Sequence, residues 1–462
     1  MIELTNESNE SNEANEAQQA VEKDRRYLWH NILPYSKNHK PMIGVKGSGS
    51  WVTDMEGNRY LDAMSGMWCV NAGYGRLELA QAAYEQLAEL SYFPLTQSHL
   101  PAIRLAEKLN EWLEGEYVIF FSNSGSEANE AAFKISRQYQ QQIGQHHRYK
   151  FISRYRGYHG SSLGALSATG QAQRKYKYEP LGSGFLHVRP PDGYRRPAGL
   201  SLTAFNEQCA QAIEDTIIWE GAETVAAVIM EPVITGGGII VPEPVYVEMV
   251  RDICTRHGVL LIIDEVICGF GRSGRKFGHQ NFGIKPDMVT MAKGLTSGYL
   301  PLSATAVRKD IYDAFKDEDL YGHFRHVNTF GGNPAACALA LRNLEIMEQE
   351  QLVERSRVLG ERLMAGLAGL AEHPLVGDIR GFGFMAGIEL VEDKASKQPA
   401  PLAVMTEMIS RCKKAGLIIG KNGDTVAGYN NVLTLAPPLS STDEDLEFIL
   451  TTLTKVMQEY TG

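Results

Sequence analysis

In the stretch from Val259 to Gly298, VLLIIDEVICGFGRSGRKFGHQNFGIKPDMVTMAKGLTSG, two short apolar runs each deliver a reactive group. Val259 to Ile263 leads into Asp264 and Glu265, and Met288 to Ala292 leads into Lys293. An acid and an amine at two strand ends can face one small molecule. Upstream, FSNSGSEAN (Phe121 to Asn129) passes from a strand-like run through small residues into a helical one. Such a junction presents free backbone N–H groups at the positive end of a helix dipole and can cradle an anion. The same residues also suit plain capping, with Ser124 or Ser126 at the N-cap and Glu127 in the first turn. There is neither the lysine of a Walker A loop nor the spaced glycines of a dinucleotide fingerprint, so a phosphate here belongs to another ligand. Each feature has an ordinary explanation alone, since most lysines are solvated and strand-end acids often cap loops. Their combination is what a phosphorylated aldehyde needs. Pyridoxal phosphate requires a lysine amine for its Schiff base, a carboxylate on its pyridinium nitrogen and donors for its phosphate.

The elements that would carry these groups alternate. Strand-like runs at YVIFF (117–121), YKFIS (149–153), VAAVIM (225–230), VLLII (259–263), MVTM (288–291) and LSATAV (302–307) are interleaved with helical stretches, among them 127–142 and 245–257. This is the signature of βαβ units and a mainly parallel sheet covered on both faces. Ahead of it, Trp51 to Leu61 reads as a hairpin turning at Glu56-Gly57-Asn58, and 77–90 and 101–113 read as amphipathic helices. Beyond Pro334 a long helix precedes an α+β region, with helices near 351–371, 401–415 and 442–458 and strands near 381–391 and 431–436. The expected division is an acidic arm, mobile or a frayed helix, over 1–20, the N-terminal part of a small domain over 21–75, a large domain over 76–334, and a connector helix with the rest of the small domain over 335–462.

Composition narrows the classes of function. With 45 basic and 55 acidic residues the net charge is −10, which argues against a nucleic-acid partner. Six cysteines lie scattered without a CxxC pair, giving neither a disulfide framework nor a metal site. No apolar run reaches the roughly 20 residues of a membrane helix, and the amino terminus lacks a signal-peptide pattern. A cytoplasmic enzyme without a membrane partner is expected.

From about Tyr27 onward the chain resembles the class III, fold type I aminotransferases, which include the ω-amino acid:pyruvate transaminases. The resemblance is carried by LLIIDEVICGFGRSGRKFG, KPDMVTMAKGLTSGYLPLSA, SNSGSEANEAAFK, RYRGYHGSS, VIMEPV and HVNTFGGNPAA. It implies an α/β fold, with a mainly parallel seven-stranded sheet flanked by helices and a smaller α+β domain built from both termini. It implies that Lys293 forms the Schiff base with pyridoxal phosphate, which alternates with pyridoxamine phosphate, and that Asp264 keeps the pyridine nitrogen protonated. Ser124, Gly125 and Ser126 would bind the phosphate together with Thr329 from the second subunit of a homodimer or higher assembly. Tyr158 would stack on one ring face and Val266 would cover the other, with His159 as the rival stacker. Glu231 has two readings, a site acid or a strand-end acid that orients neighbouring loops.

For substrate, the resemblance points to Trp68 as a pocket wall, though it also fits packing between domains, and to Tyr92 to Leu95 as a segment reaching across the dimer. Where many relatives carry a mobile arginine after a GLI segment, this chain has Gly420 and Lys421 followed by the polar insert NGDTVAGYNN. Lys421 either meets the acidic end of the substrate or is a solvated loop lysine. The expected reaction is transfer of an amino group from β-alanine, taurine or a related amine to pyruvate. The alternatives are an adenosylmethionine-dependent aminotransferase of biotin synthesis, an aminomutase, or a cofactor-binding protein without turnover.

Overall fold

The structure, a computed structural model, describes residues 16–34, 36, 40–316, 320–423 and 425–460. Most of the acidic opening stretch lies outside the described residues; its last five residues begin a helix over 16–27.

Three strands form an antiparallel sheet near the start: β1 (Gly44–Ser48), β2 (Trp51–Asp54) and β3 (Arg59–Asp62). The hairpin expected at Glu56-Gly57-Asn58 joins β2 to β3. The central sheet has seven strands: β4 (Tyr117–Ser122), β5 (Lys150–Arg154), β6 (Phe185–Val188), β7 (Val225–Met230), β8 (Leu260–Asp264), β9 (Met288–Met291) and β10 (Ser303–Arg308). Their order is β4-β10-β9-β8-β7-β5-β6, and only β10 runs against its neighbours. A third sheet joins β11 (Val376–Gly381), β12 (Ala386–Asp393), β13 (Gln398–Pro399), β15 (Gly420–Lys421) and β16 (Val432–Leu435), while β14 (Leu417–Ile418) pairs in parallel with β3. Residues near both ends of the chain thus share one sheet.

Side-chain alternation explains why the central strands are apolar throughout. Val228, Met230, Leu261 and Ile263 point into a cluster with helices Leu202–Trp219 and Pro244–His257. Their neighbours Ala227, Ile229, Leu260 and Ile262 point to the opposite face, against Ala132, Phe133 and Ile135 of helix Gly125–Gln142. With both faces covered, no position in β7 or β8 meets water, which is the condition for a buried parallel sheet. Each of the larger side chains, Val, Leu, Ile, Met and Phe, contributes about 1.5–3 kcal/mol by burial.

Two expectations need correction. The single strand near 381–391 is a hairpin, β11 and β12, turning at 382–385. Gly383 sets that turn: its φ is 56°, and a side chain there would collide with the backbone of Arg272 and Ser273. The seventh central strand, β6, had no strand-like run assigned to it. It is a half-buried edge strand, and His187 interrupts its short apolar pattern.

Candidate active site

The carboxyl ends of β4, β5, β7, β8 and β9 supply the candidate residues, where an open α/β sheet holds its ligands. Asp264 ends β8 and is 3% exposed. Its Oδ2 accepts from Asn129 Nδ2 at 2.9 Å and from His159 Nδ1 at 2.8 Å, and its Oδ1 accepts from the Val266 backbone N–H at 3.1 Å. Oδ2 is therefore satisfied, while Oδ1 retains acceptor capacity for a further donor. Asn129 also donates to the carbonyl of His159 at 2.7 Å, which fixes the loop that follows β5.

Lys293 opens a short 3-10 turn, Lys293–Leu295, with φ of 47°, a left-handed conformation uncommon outside glycine. The side chain lies deep in the crevice but keeps partial access to solvent. Burial pulls its pKa below the ordinary lysine value, opposed by the nearby charges of Cys69, Asp264 and Glu231. A lysine poised in this way more readily offers a free amine.

At the end of β4, Ser124 is the N-cap of helix Gly125–Gln142, and its Oγ accepts from Glu127 N at 3.3 Å. Capping accounts for one N–H; those of Gly125 and Ser126 belong to the first turn, which has no intrahelical acceptors. Gly125 is needed for a close approach, because a methyl group there would lie 3.0 Å from both Cγ atoms of Val266. Ser126 Oγ accepts from Ser161 N at 3.1 Å, tying this turn to the loop after β5.

In that loop His159 is 3% exposed, and its ring is committed to Asp264. Tyr158 is half-buried; its hydroxyl pairs with Ser161 Oγ at 2.9 Å and the Arg174 guanidinium lies over its ring at 4.9 Å. Glu231, just past β7, spends both carboxylate oxygens on its surroundings. Oε1 accepts from Tyr158 N at 3.1 Å, and Oε2 accepts from Thr235 N at 3.1 Å and Thr235 Oγ1 at 2.9 Å. Burial raises its pKa above the usual carboxylate value, with His159 opposing and Asp264 adding to the rise.

The remaining expected residues lie around this group. Trp68 is partly buried against Val233, Ile239, Cys268, Met385 and Ala436. Lys421 is half-buried on β15. Beyond it Asn422 closes the polar insert, donating to Tyr429 O at 2.7 Å and accepting from Val432 N at 2.8 Å. Tyr92 and Thr329 meet each other, hydroxyl to carbonyl at 2.9 Å, on a cavity of about 610 Å³ that also involves Leu95, Ile103 and Val327. Size alone does not locate chemistry. An open groove of about 830 Å³ lies at the opposite end of the central strands, by the amino ends of β8 and β9, where Asp287 is already occupied by Arg251, Arg308 and Leu261 N.

Asn129, Thr235 and Arg174 were not anticipated. Asn129 was visible as part of SGSEAN but had no partner to identify it, since Asp264 stands 135 positions away.

With an amine, a carboxylate and an N–H cradle at neighbouring strand ends, comparison with known proteins becomes informative. The profile of the aminotransferase class-III family matches residues 34–457. The chain belongs to the class III aminotransferases. It is 63% identical to the uncharacterized aminotransferase YhxA of Bacillus subtilis, covering 95% of this chain and 96% of that one. It is 43% identical to a taurine–pyruvate aminotransferase of Bilophila wadsworthia, over 94% and 96% of the two chains. Among solved structures, an omega transaminase of Pseudomonas jessenii in complex with PMP superimposes with a TM-score of 0.90 at 36% identity, covering 95% of this chain and 97% of that one. The seven-stranded, mainly parallel sheet of this aminotransferase is that of fold type I, and its cofactor is pyridoxal phosphate. The residues present suit that group: the spare Oδ1 valence of Asp264, the close approach of Gly125 to Val266, and a lysine with depressed pKa.

Proposed function

We propose that this aminotransferase carries the amino group of an ω-amino acid or related amine, such as β-alanine or taurine, to pyruvate by a ping-pong route. The observation that carries the reaction is the placement of Lys293 and Asp264 at the ends of adjacent strands, β9 and β8, with Val266, two residues beyond Asp264, close against the cradle at Gly125. Likeness to the taurine–pyruvate enzyme supports the substrate class.

When bound, pyridoxal phosphate supplies an aldehyde that takes up an amine and a ring that accepts the electrons released when a Cα–H bond breaks. Lys293 Nζ would hold the aldehyde end of that group, and as a free amine it would take a proton from the donor's Cα as general base and give it back as general acid. Its depressed pKa favours the free amine needed for the first of these steps. Asp264, held in place by Asn129, His159 and Val266 N, would set its negative charge against the pyridine nitrogen. Gly125 and Ser126 N–H groups, with the Ser124 turn, would take the phosphate at the helix N-terminus. Tyr158 and Val266 would confine the ring from its two faces, with Glu231 setting the Tyr158 loop through its backbone N–H. Trp68 bounds the donor pocket.

A homodimer completes this reading, with Thr329 and the Tyr92 segment serving the partner's site. Tyr92, Leu95, Ile103, Val327 and Phe330 are exposed, and Val327 is 72% exposed, an apolar face that a second copy would cover. The test is spectroscopic and kinetic. Yellow holoenzyme should bleach with taurine or β-alanine and regain colour with pyruvate, and Lys293→Ala should abolish turnover. Colour that persists with every amine would reject the transaminase reading in favour of a binding protein. Donation by adenosylmethionine alone would favour the biotin-pathway alternative, and product formation without a keto acid an aminomutase.

A further inference from the structure

Both substrates of the proposed reaction bring an anionic group, carboxylate or sulfonate, into a crevice already holding Asp264 and Glu231. An anion entering there needs a cation that is not already neutralised. Of the other arginines around the crevice, Arg156 pairs with Asp192, Arg195 and Arg380 pair with Glu389, and the fully buried Arg154 and Arg272 donate to backbone carbonyls and neutral side chains. Arg174 is different. Among the described residues it meets no carboxylate, although it is half-buried and lies against Tyr158.

Its position is also fixed. Nε donates to Gln171 Oε1 at 2.7 Å, and Gln171, itself fully buried, is anchored by Nε2 to the Arg156 carbonyl at 2.9 Å. With Nε held and the guanidinium plane over the tyrosine ring, the terminal N–H groups are the part left to bind a ligand. The short helix that carries Arg174, Ala172–Lys175, is docked on the polar insert that follows Lys421. Gln173 N donates to Thr425 O at 3.3 Å, and Asn430 Nδ2 donates to Gln173 Oε1 at 2.7 Å. The insert thereby acquires a purpose: it braces an arginine from a different part of the chain, in a protein that lacks one after its GLI segment.

We infer that Arg174 is the specificity residue that binds the acidic end of the donor and of pyruvate, its planar fork accepting either carboxylate or sulfonate oxygens. The inference rests on the placement of Tyr158 at the cofactor and on the substrate class proposed above. Its test compares holoenzyme with Arg174→Gln and Arg174→Lys, using β-alanine and taurine against an uncharged-tail donor, an arylalkylamine, in single-turnover bleaching. Recolouring of the pyridoxamine form by pyruvate is measured separately. Arg174→Gln should lower kcat/KM for the acidic donors and for pyruvate by roughly 10- to 100-fold, mainly through KM, and leave the arylalkylamine within about twofold. Arg174→Lys should recover part of the loss. An equal loss with charged and uncharged donors would show that Arg174 only supports the Tyr158 ring and would overturn the inference, as would no loss at all. If wild-type enzyme bleaches with the arylalkylamine but with no acidic donor, the donor class is wrong, and the pyruvate arm still decides the role of Arg174.

Discussion

His159 separates two accounts of the site, because its ring could either stack on the cofactor or donate to Asp264. In the structure Nδ1 lies 2.8 Å from Oδ2 of a carboxylate that is 3% exposed and has two other donors, Asn129 and Val266 N. A hydrogen bond to a buried charged group contributes about 1.5–3 kcal/mol. At about 1.4 kcal/mol per decade, losing it lowers the rate by roughly 10- to 150-fold if the whole effect falls on Asp264's hold of the ring nitrogen. His159→Leu removes ring and donor, His159→Phe keeps an aromatic ring without a donor, and His159→Asn keeps a donor near the Nδ1 position without the ring. The expected order of bleaching rate with a good donor, and of cofactor retention on dialysis, is wild type, then Asn, then Phe and Leu together. A near-normal Phe variant with an Asn variant as poor as Leu would refute the reasoning and return His159 to the ring face.

Four further outcomes follow from the same geometry. Gly125→Ala brings a methyl group to 3.0 Å from both Cγ atoms of Val266, well inside the roughly 3.5–4.0 Å of normal carbon contact; pyridoxal phosphate affinity, read by fluorescence titration of apoenzyme, should fall about tenfold or more, and adding Val266→Ala should restore most of it. The rate at which apoenzyme captures pyridoxal phosphate should rise with pH to a midpoint below the roughly 10.4 of an ordinary lysine, because burial lowers the Lys293 pKa. Since the folded chain then binds fewer protons than the unfolded chain between those two values, apoenzyme stability should increase with pH across that window, and Lys293→Met should flatten the slope in urea melts. Arg272, fully buried with its pKa pushed down to about 9 by burial, donates to Ser65 Oγ, Asn71 Oδ1 and the carbonyls of Phe384 and Pro437; Arg272→Met should destabilise by about 3–5 kcal/mol in denaturant melts, with Arg272→Lys recovering only part.

What could be read from the sequence divides along a physical line. The central strands were legible because a parallel sheet covered on both faces demands unbroken apolar runs, as in β7 and β8, and the reactive residues stand immediately beyond them. The edge strand β6 and the half-buried strand β11 were not, since neither is buried enough along its length to impose such a run, whereas β12, buried over its first six residues, overlaps the strand expected near 381–391. Lys293, Asp264 and the Gly125 turn are each marked by a local pattern and announce themselves only in combination. Their support does not: Asn129 and His159 reach Asp264 from 135 and 105 positions away, and nothing in either segment alone requires that meeting. The same holds more strongly for substrate choice. Arg174 and the insert after Lys421 are polar stretches with no periodicity, and either one alone reads as a solvated loop. Only the docking of Gln173 on Thr425 and Asn430 shows that the two are one unit. Reaction chemistry in this fold is written in short contiguous motifs because one strand end must place one reactive atom. Specificity is assembled from distant loops, so it becomes readable only when their contacts are known, and loop exchange between relatives should transfer donor preference only if residues 171–175 and 422–431 move together.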